Sequence, residues 1–361
     1  MNEFLHLLNR VIEEAATLSR AEARLVLAEM MTGEATPEQI AQLLTAMASR
    51  GETAEELAGF AEQMRVLSTP LPLAEAEQAS LVDTCGTGGS GDGTFNISTA
   101  AALLATAAGA KIAKHGNRAV TSRCGSADVL EAMGIPVALT PEQSVACLRA
   151  TGFTFLYAPA LHPTMKRVMP IRRELGIRTI FNLAGPLTNP AKAKAQVMGV
   201  YARHKVSVVA EALALLKVRH ALVVHGNDGL DELTLTTSSQ VAEIRPDSLG
   251  QHQIRYRDFF PSEASLATCG LAELQGADTV EGNAAILEKI FDGETGPRTQ
   301  IALLNAAAAL LVGGLVKNLA EGVHRARQAL DSGAAKKTVE QLRNFGCRLH
   351  STASLTTASK T

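Results

Sequence analysis

The stretch that most limits what this chain can become is Asp83-Thr84-Cys85-Gly86-Thr87-Gly88-Gly89-Ser90-Gly91-Asp92-Gly93-Thr94-Phe95-Asn96-Ile97-Ser98-Thr99. Apolar Leu81 and Val82 precede it, and an Ala/Leu run over 100–108 follows. The spacing predicts a strand, a glycine loop and a helix. Glycines leave backbone N–H groups uncovered and admit positive φ, so such a loop can wrap an anion closely. Asn96, Ser98 and Thr99 set polar groups at the helix start, where free N–H groups and the helix dipole favour phosphate. A plain surface turn needs no strand before it and no helix after it.

Two common phosphate loops fail the comparison. Gly86 to Gly91 reads G-x-G-x-x-G, but a dinucleotide fold then wants a helix at once and an acidic residue about 20 residues on. Here the loop runs on to Asn96, and the next strand leads into Lys114 and His115. A Walker loop needs Lys and Ser/Thr after its last glycine, whereas Gly91 is followed by Asp92 and Gly93 by Thr94. Phosphate binding by another scheme is expected.

Composition narrows the partners. Lys+Arg (34) and Asp+Glu (36) nearly cancel, and tryptophan is absent, so neither a basic field nor a stacking platform points to nucleic acid. Cys85, Cys124, Cys147, Cys269 and Cys347 are scattered without C-x-x-C, which suits reduced thiols in the cytoplasm. Cys85 and Cys124 sit in glycine loops, but no base is visibly committed to either, so small loop-filling residues are expected there. No leader is expected, since Glu3, His6 and Arg10 interrupt the first residues. No membrane span is expected either, since no apolar run reaches roughly 18 residues.

Along the chain, residues 1–70 read as helices only. Ser19/Glu22, Thr36/Gln39 and Thr53/Glu56 have capping-box spacing, and Gly33 and Gly51 are helix stops. Thr69-Pro70-Leu71-Pro72 reads as a hinge. Beyond it, strand candidates at 81–84, 111–114, 137–139, 153–157, 197–201, 221–225, 233–237 and 241–244 alternate with helical stretches, one of them opened by Thr140/Gln143. This predicts an α/β fold: a small all-helical domain (1–70) and a large domain (73–349) with a mostly parallel central sheet. Residues 301–347 read as mainly helical, and 350–361 as a flexible tail.

Four further stretches carry chemistry. Lys114-His115-Gly116-Asn117-Arg118-Ala119-Val120-Thr121-Ser122, with Ser126 beyond, follows the second strand and can lie beside the first loop at one sheet edge. In Arg172-Arg173 the two side chains cannot share a helix face, so one can reach a carboxylate and the other solvent; spacing does not say which. Gly185-Pro186-Leu187-Thr188-Asn189-Pro190 reads as a rigid wall without acid, base or nucleophile. Asp231-Glu232, in an acidic turn after a strand, fits either a solvated turn or Mg²⁺ held through oxygens, and a phosphate loop elsewhere favours the metal.

Taken in order, Gly86-Thr87-Gly88-Gly89, Asn96 to Thr99, Lys114 to Arg118, Gly125 to Leu130, Arg178-Thr179-Ile180-Phe181-Asn182, Gly185 to Pro190 and Asp231-Glu232 resemble the anthranilate phosphoribosyltransferase family, from about residue 4 to residue 345. The resemblance implies a nucleoside phosphorylase/phosphoribosyltransferase type of fold, with the segment at about 165–190 joining the helical domain 1–70 in space. It implies transfer of the phosphoribosyl group from 5-phosphoribosyl 1-pyrophosphate to anthranilate in tryptophan biosynthesis, with Mg²⁺, in a homodimer formed through the helical domain. On this likeness Gly86, Gly89, Ser90, Thr94, Asn96, Ile97, Ser98, Thr99, Lys114, His115, Gly116, Asn117, Arg118, Ala119, Val120, Thr121, Ser122 and Ser126 line the phosphoribosyl pyrophosphate site. Gly86, Asn117 and Arg172 match anthranilate positions, and Ser98, Asp231 and Glu232 match Mg²⁺ positions. His115, Asn117 and Arg172 would act by positioning. The family usually has Asp after Gly-Thr-Gly-Gly; this chain has Ser90 there, with Asp92 two residues on. Two other readings are a pyrimidine-nucleoside phosphorylase-like enzyme and a non-catalytic relative that binds nucleic acid.

Overall fold

The computed structural model describes residues 3–33, 35–89, 93–119 and 123–358, with side chains as far as 349. Four helices open the chain: α1 (Glu3–Glu13), α2 (Arg20–Thr32), α3 (Pro37–Arg50) and α4 (Ala54–Leu67). The hydroxyls of Ser19, Thr36 and Thr53 each accept the N–H three residues on, and Glu22, Gln39 and Glu56 return the bond. All three capping boxes are therefore formed. Glu56 does more. Fully buried, it also accepts the Leu18 N–H at 2.8 Å and pairs with Arg50, tying the α1–α2 and α3–α4 connections together. Gly59 lets α2 and α4 cross closely, since a Cβ there would stand 2.5 Å from the Arg20 carbonyl oxygen.

Among the described residues, seven strands form one sheet: β1 (Leu81–Asp83), β2 (Lys111–Gly116), β3 (Phe153–Tyr157), β4 (Ala195–Gly199), β5 (His220–Gly226), β6 (Ser239–Pro246) and β7 (His252–Phe259), in the order β3-β2-β1-β4-β5-β6-β7. Strands β1 to β5 pair in parallel, and β6 and β7 add antiparallel. This is the expected mostly parallel sheet. Side chains alternate between its faces, as strand geometry requires. Val82, Ile112, Phe155, Val197 and Val224 enter a core with the helices Ile97–Ala107 and Pro297–Val312. Met198, Ala221 and Val223 enter a second core with α1 to α4. Val168, Ile171, Ile180, Phe181 and Leu187 join that second core, so the segment between β3 and β4 packs on the helical bundle.

The order turns at β1, with β2 and β3 on one side and β4 and β5 on the other. Such a switch point opens a crevice at the carboxyl ends of the strands.

Three readings are corrected. Residues 137–139 form no strand; Val137 and Leu139 are buried as core filling between Pro136 and the Thr140 cap, and Ala138 is exposed. Residues 233–237 form none either, because side chains take the backbone groups: Asn305 bonds both the N–H and the carbonyl of Leu233, and Ser239 takes the Thr234 N–H. The sequence reading missed β7, an edge strand whose exposed charged residues mask the apolar alternation. The helix Ala334–Ala358 runs into the segment read as a tail, with no Gly or Pro after Gly346 to stop it. Residues 359–361 lie outside the described residues. Among the described residues, no helix is long and apolar enough to cross a membrane.

Candidate active site

The glycine loop leaves β1 at the switch point and is tied to three neighbours. The Thr87 N–H donates to the Gly199 carbonyl at the end of β4 (2.9 Å), and the Tyr201 N–H donates to the Thr87 hydroxyl (3.0 Å). Arg178 donates from Nη2 to the Gly89 carbonyl at 2.7 Å. At the far end Thr94 bridges Gln275, and the Gly276 N–H donates to the Gly93 carbonyl at 2.8 Å. Gly88 and Gly89 adopt φ of 64° and 83°, which glycine reaches without steric cost. Gly86 lies against β4, where a Cβ would come within 3.0 Å of the Gly199 carbonyl and 3.4 Å of Asp231 Oδ2.

Beneath the loop, Lys114 on β2 is almost fully buried. Its Nζ donates to the Thr84 carbonyl (3.0 Å), the Thr84 hydroxyl (3.2 Å) and the Ser98 hydroxyl (3.2 Å). The loop after β5 brings Asp231 and Glu232 to the same place. Burial and the neighbouring Asp231 charge push the Glu232 carboxyl up, against the pull of Lys114 and the Ser98 N–H. Two crowded carboxylates beside a hydroxyl are a donor set for a hard divalent cation. Among the described residues, no three His, Cys, Asp or Glu converge to hold a metal without help. Mg²⁺ in general binds through one or two carboxylates and completes its shell with water and substrate phosphate.

The second loop folds on itself. The Asp128 carboxylate accepts the Ala119 and Gly125 N–H groups, both at 2.9 Å, and Gly125 sits where a Cβ would overlap the Ala119 nitrogen at 2.3 Å. Arg118 pairs with Asp128 and Glu131 and lies over the Tyr157 ring at 5.7 Å, so its charge is already engaged. The Asn117 side-chain oxygen takes the Arg118 N–H (2.8 Å), and the Asn117 carbonyl takes the Ala127 N–H beside Ser126 (3.2 Å). Gly116 packs under Phe155, whose ring a Cβ would meet at 2.8 Å. The Asn96 amide joins the two loops by donating to the Cys124 carbonyl at 3.0 Å. Ile97 and Thr99 are buried in the first turn of their helix. Ser90, Val120, Thr121 and Ser122, also expected in the site, lie outside the described residues, as does Asp92.

His115 follows Lys114 on β2, and its ring stands 5.1 Å from that of His162, beyond the end of β3. Both are buried. His115 lies near the Gly185 backbone, but neither ring nitrogen meets hydrogen-bond geometry with a protein group, nor does His162 Nε2. Burial drives both imidazoles toward the neutral form: His115 falls well below the usual range, helped by His162 and Lys114, and His162 falls to about 4. Arg172 points inward over the Phe181 ring at 5.3 Å, with a long contact to the Asn182 oxygen at 3.5 Å, while Arg173 is exposed. Burial lowers the Arg172 pKa, and among the described residues it forms no ion pair with a carboxylate.

The Gly185–Pro190 stretch is the structural wall expected of it. Asn189 donates to Asp83 and to the Ala113 carbonyl, each at 2.8 Å, and Arg65 of α4 donates to the Leu187 carbonyl at 2.8 Å. Burial raises the Asp83 pKa to about 6, although Asn189 and the His115 N–H bond to it. Burial likewise raises the Cys85 thiol and lifts Cys124 to about 11, so neither is a ready thiolate. Sequence reasoning missed His162 and Tyr201. The only signal for either was its place just after a parallel strand.

Residues 78–336 match the model of the glycosyl transferase family a/b domain, and residues 5–68 match that of the helical bundle domain of the same family. A curated anthranilate phosphoribosyltransferase of Symbiobacterium thermophilum is 47% identical, over 94% of this chain and 97% of its own length. That of a Geobacter species is 46% identical, over 92% and 96%. Among solved structures, anthranilate phosphoribosyltransferase from Thermus thermophilus superposes with a TM-score of 0.87 at 40% identity, covering 96% of this chain and 99% of that one. The Saccharomyces cerevisiae enzyme, in complex with PRPP (phosphoribosyl pyrophosphate) and Mg, reaches 0.84 at 26% identity, covering 96% and 98%.

Proposed function

The chain belongs to the anthranilate phosphoribosyltransferase family, and on that premise we propose that it transfers the phosphoribosyl group of 5-phosphoribosyl 1-pyrophosphate to the amine of anthranilate, releasing pyrophosphate, as a step of tryptophan biosynthesis. The observation that carries this reading is the meeting of Lys114, Ser98 and Glu232 under a glycine loop at the switch point of the sheet. Gly86, Gly89, Thr94, Asn96 to Thr99, Lys114 to Ala119 and Ser126 would receive the donor. Ser98, Asp231 and Glu232 would hold Mg²⁺, which when bound neutralises charge on the pyrophosphate leaving group. Lys114 would add a fixed positive charge at no reorganisation cost, because the fold already holds its ammonium in place.

The acceptor needs orientation more than activation. Its aromatic amine is unprotonated at neutral pH, so its lone pair is ready to attack the ribosyl carbon. Arg172 would bind the carboxylate as a bidentate fork. Asn117, Gly86 and the neutral His115 would place the amine. No covalent nucleophile is required, in keeping with the raised thiols of Cys85 and Cys124. Rate enhancement then comes from positioning and fixed charge.

We further propose a homodimer through the helical domain, supported by Ile12 and Val66 lying exposed on α1 and α4, and a cytoplasmic location, supported by the reduced thiols of Cys85, Cys124, Cys147 and Cys269. The deciding experiment follows the fluorescence of anthranilate with phosphoribosyl pyrophosphate and Mg²⁺, against controls lacking each. Loss of signal that needs all three components is the expected result. No loss at high concentrations of all three, with phosphorolysis of thymidine instead, would overturn the reading.

A further inference from the structure

Arg178 belongs to none of the roles above, yet it joins both halves of the site. It lies in the segment between β3 and β4, six residues after Arg172, and Asn182 ties the two ends of that stretch. The Asn182 oxygen accepts the Thr179 N–H at 2.9 Å and touches the Arg172 guanidinium at 3.5 Å. From there Arg178 reaches over the glycine loop and donates to the Gly89 carbonyl at 2.7 Å. Its guanidinium lies 3.9 Å from the centre of the Tyr201 ring. Tyr201 in turn donates its N–H to the Thr87 hydroxyl. Among the described residues Arg178 has no carboxylate partner, so a carbonyl and a ring face are what hold it.

Gly88 and Gly89 are the part of the loop that most needs holding. Both are in left-handed conformations, and consecutive glycines lose more backbone freedom on ordering than any other pair. A donor that binds a loose loop must order it at its own expense; a loop already held spares that cost. Arginine suits the task, because its planar fork stacks on a ring and still donates along its edge, which a lysine cannot do at once.

We propose that Arg178 is a positioning residue. Stacked on Tyr201, it holds the Gly88–Gly89 turn in its donor-binding shape, and it links that turn to the segment that carries the acceptor's arginine. The proposal rests on the functional reading above, and its test separates the two. Titration calorimetry with phosphoribosyl pyrophosphate and Mg²⁺ reads donor binding without turnover, and hydrogen exchange of the unliganded protein over 83–97 reads loop order. Arg178→Ala should weaken donor binding about tenfold and speed exchange in that peptide, with the KM for anthranilate within twofold of wild type. Arg178→Lys should fall between the two. Tyr201→Ala should shift both readouts in the same direction, and Arg178→Ala with Tyr201→Ala together should cost clearly less than the sum of the two single changes. Should Arg178→Ala fail to fold, Arg178→Lys and Tyr201→Ala carry the test. Unchanged exchange, or donor affinity within twofold of wild type in the variants that fold, would overturn the proposal. Wild-type protein that binds the donor but leaves anthranilate untouched would instead overturn the functional reading and leave this one standing.

Discussion

On the side proposed for the donor, the glycine loop is held through its backbone: Thr87, Gly89 and Gly93 bond to the end of β4, to Arg178 and to residue 276. On the side proposed for the acceptor the opposite holds. His115, His162 and Arg172 are side chains at least partly buried, and their polar atoms have few protein partners or none. A pyrophosphate carries several charges and many oxygens, so a shaped ring of N–H groups, hydroxyls and one ammonium can meet it from all sides. A small aromatic acid has a single charged end and a flat apolar body. It is better served by one desolvated cation and neutral rings, which keep unmet hydrogen-bonding capacity for it.

The largest break should come on the donor side. Glu232→Gln should lower kcat/KM for phosphoribosyl pyrophosphate by roughly 10²–10³-fold, the usual cost of removing one group that stabilises developing charge, while anthranilate binding is retained. Steady-state kinetics with a separate binding titration checks this, and an equal loss of binding for both substrates would erase the distinction drawn above. Next, Arg172→Ala should raise the KM for anthranilate by roughly 10- to 100-fold, as loss of a charged hydrogen bond implies, with the donor KM within twofold. The reverse split would remove Arg172 from the acceptor side.

The smallest effect sharpens the comparison through pH. His162 titrates near 4 when folded and near the usual 6.5 when unfolded. Between those values the unfolded chain takes up a proton that the buried ring refuses. Stability is therefore lost as pH falls from about 6.5 toward 4, and His115 pulls the same way. Thermal unfolding across that window should show the slope, and His162→Gln should flatten part of it. An unchanged slope would mean that the ring is not held neutral.

Much of the fold was legible because its signals are local. Capping boxes at Ser19, Thr36, Thr53 and Thr140 need only a residue and its third neighbour, and all four formed. Apolar runs marked β1 to β6. The failures have more than one cause, and competition from distant groups is the clearest. Leu233 looks like a strand residue until Asn305, 72 positions away, takes both of its backbone groups. The edge strand β7 carries exposed charges and had no local signature to offer.

The site divides in the same way. Residue order alone announced a glycine loop that is neither a dinucleotide loop nor a Walker loop, a basic loop after the next strand and a pair of acids, because the chemistry of a loop is written in consecutive residues. Which of Arg172 and Arg173 turns inward, that Lys114 lies buried under the first loop with Ser98, and that His162 stands by His115 were not written there. Those facts depend on strand order. A sheet running β3-β2-β1-β4-β5 brings the ends of five parallel strands side by side, and groups more than 100 residues apart, such as Gly86 and Asp231, become neighbours only when it closes.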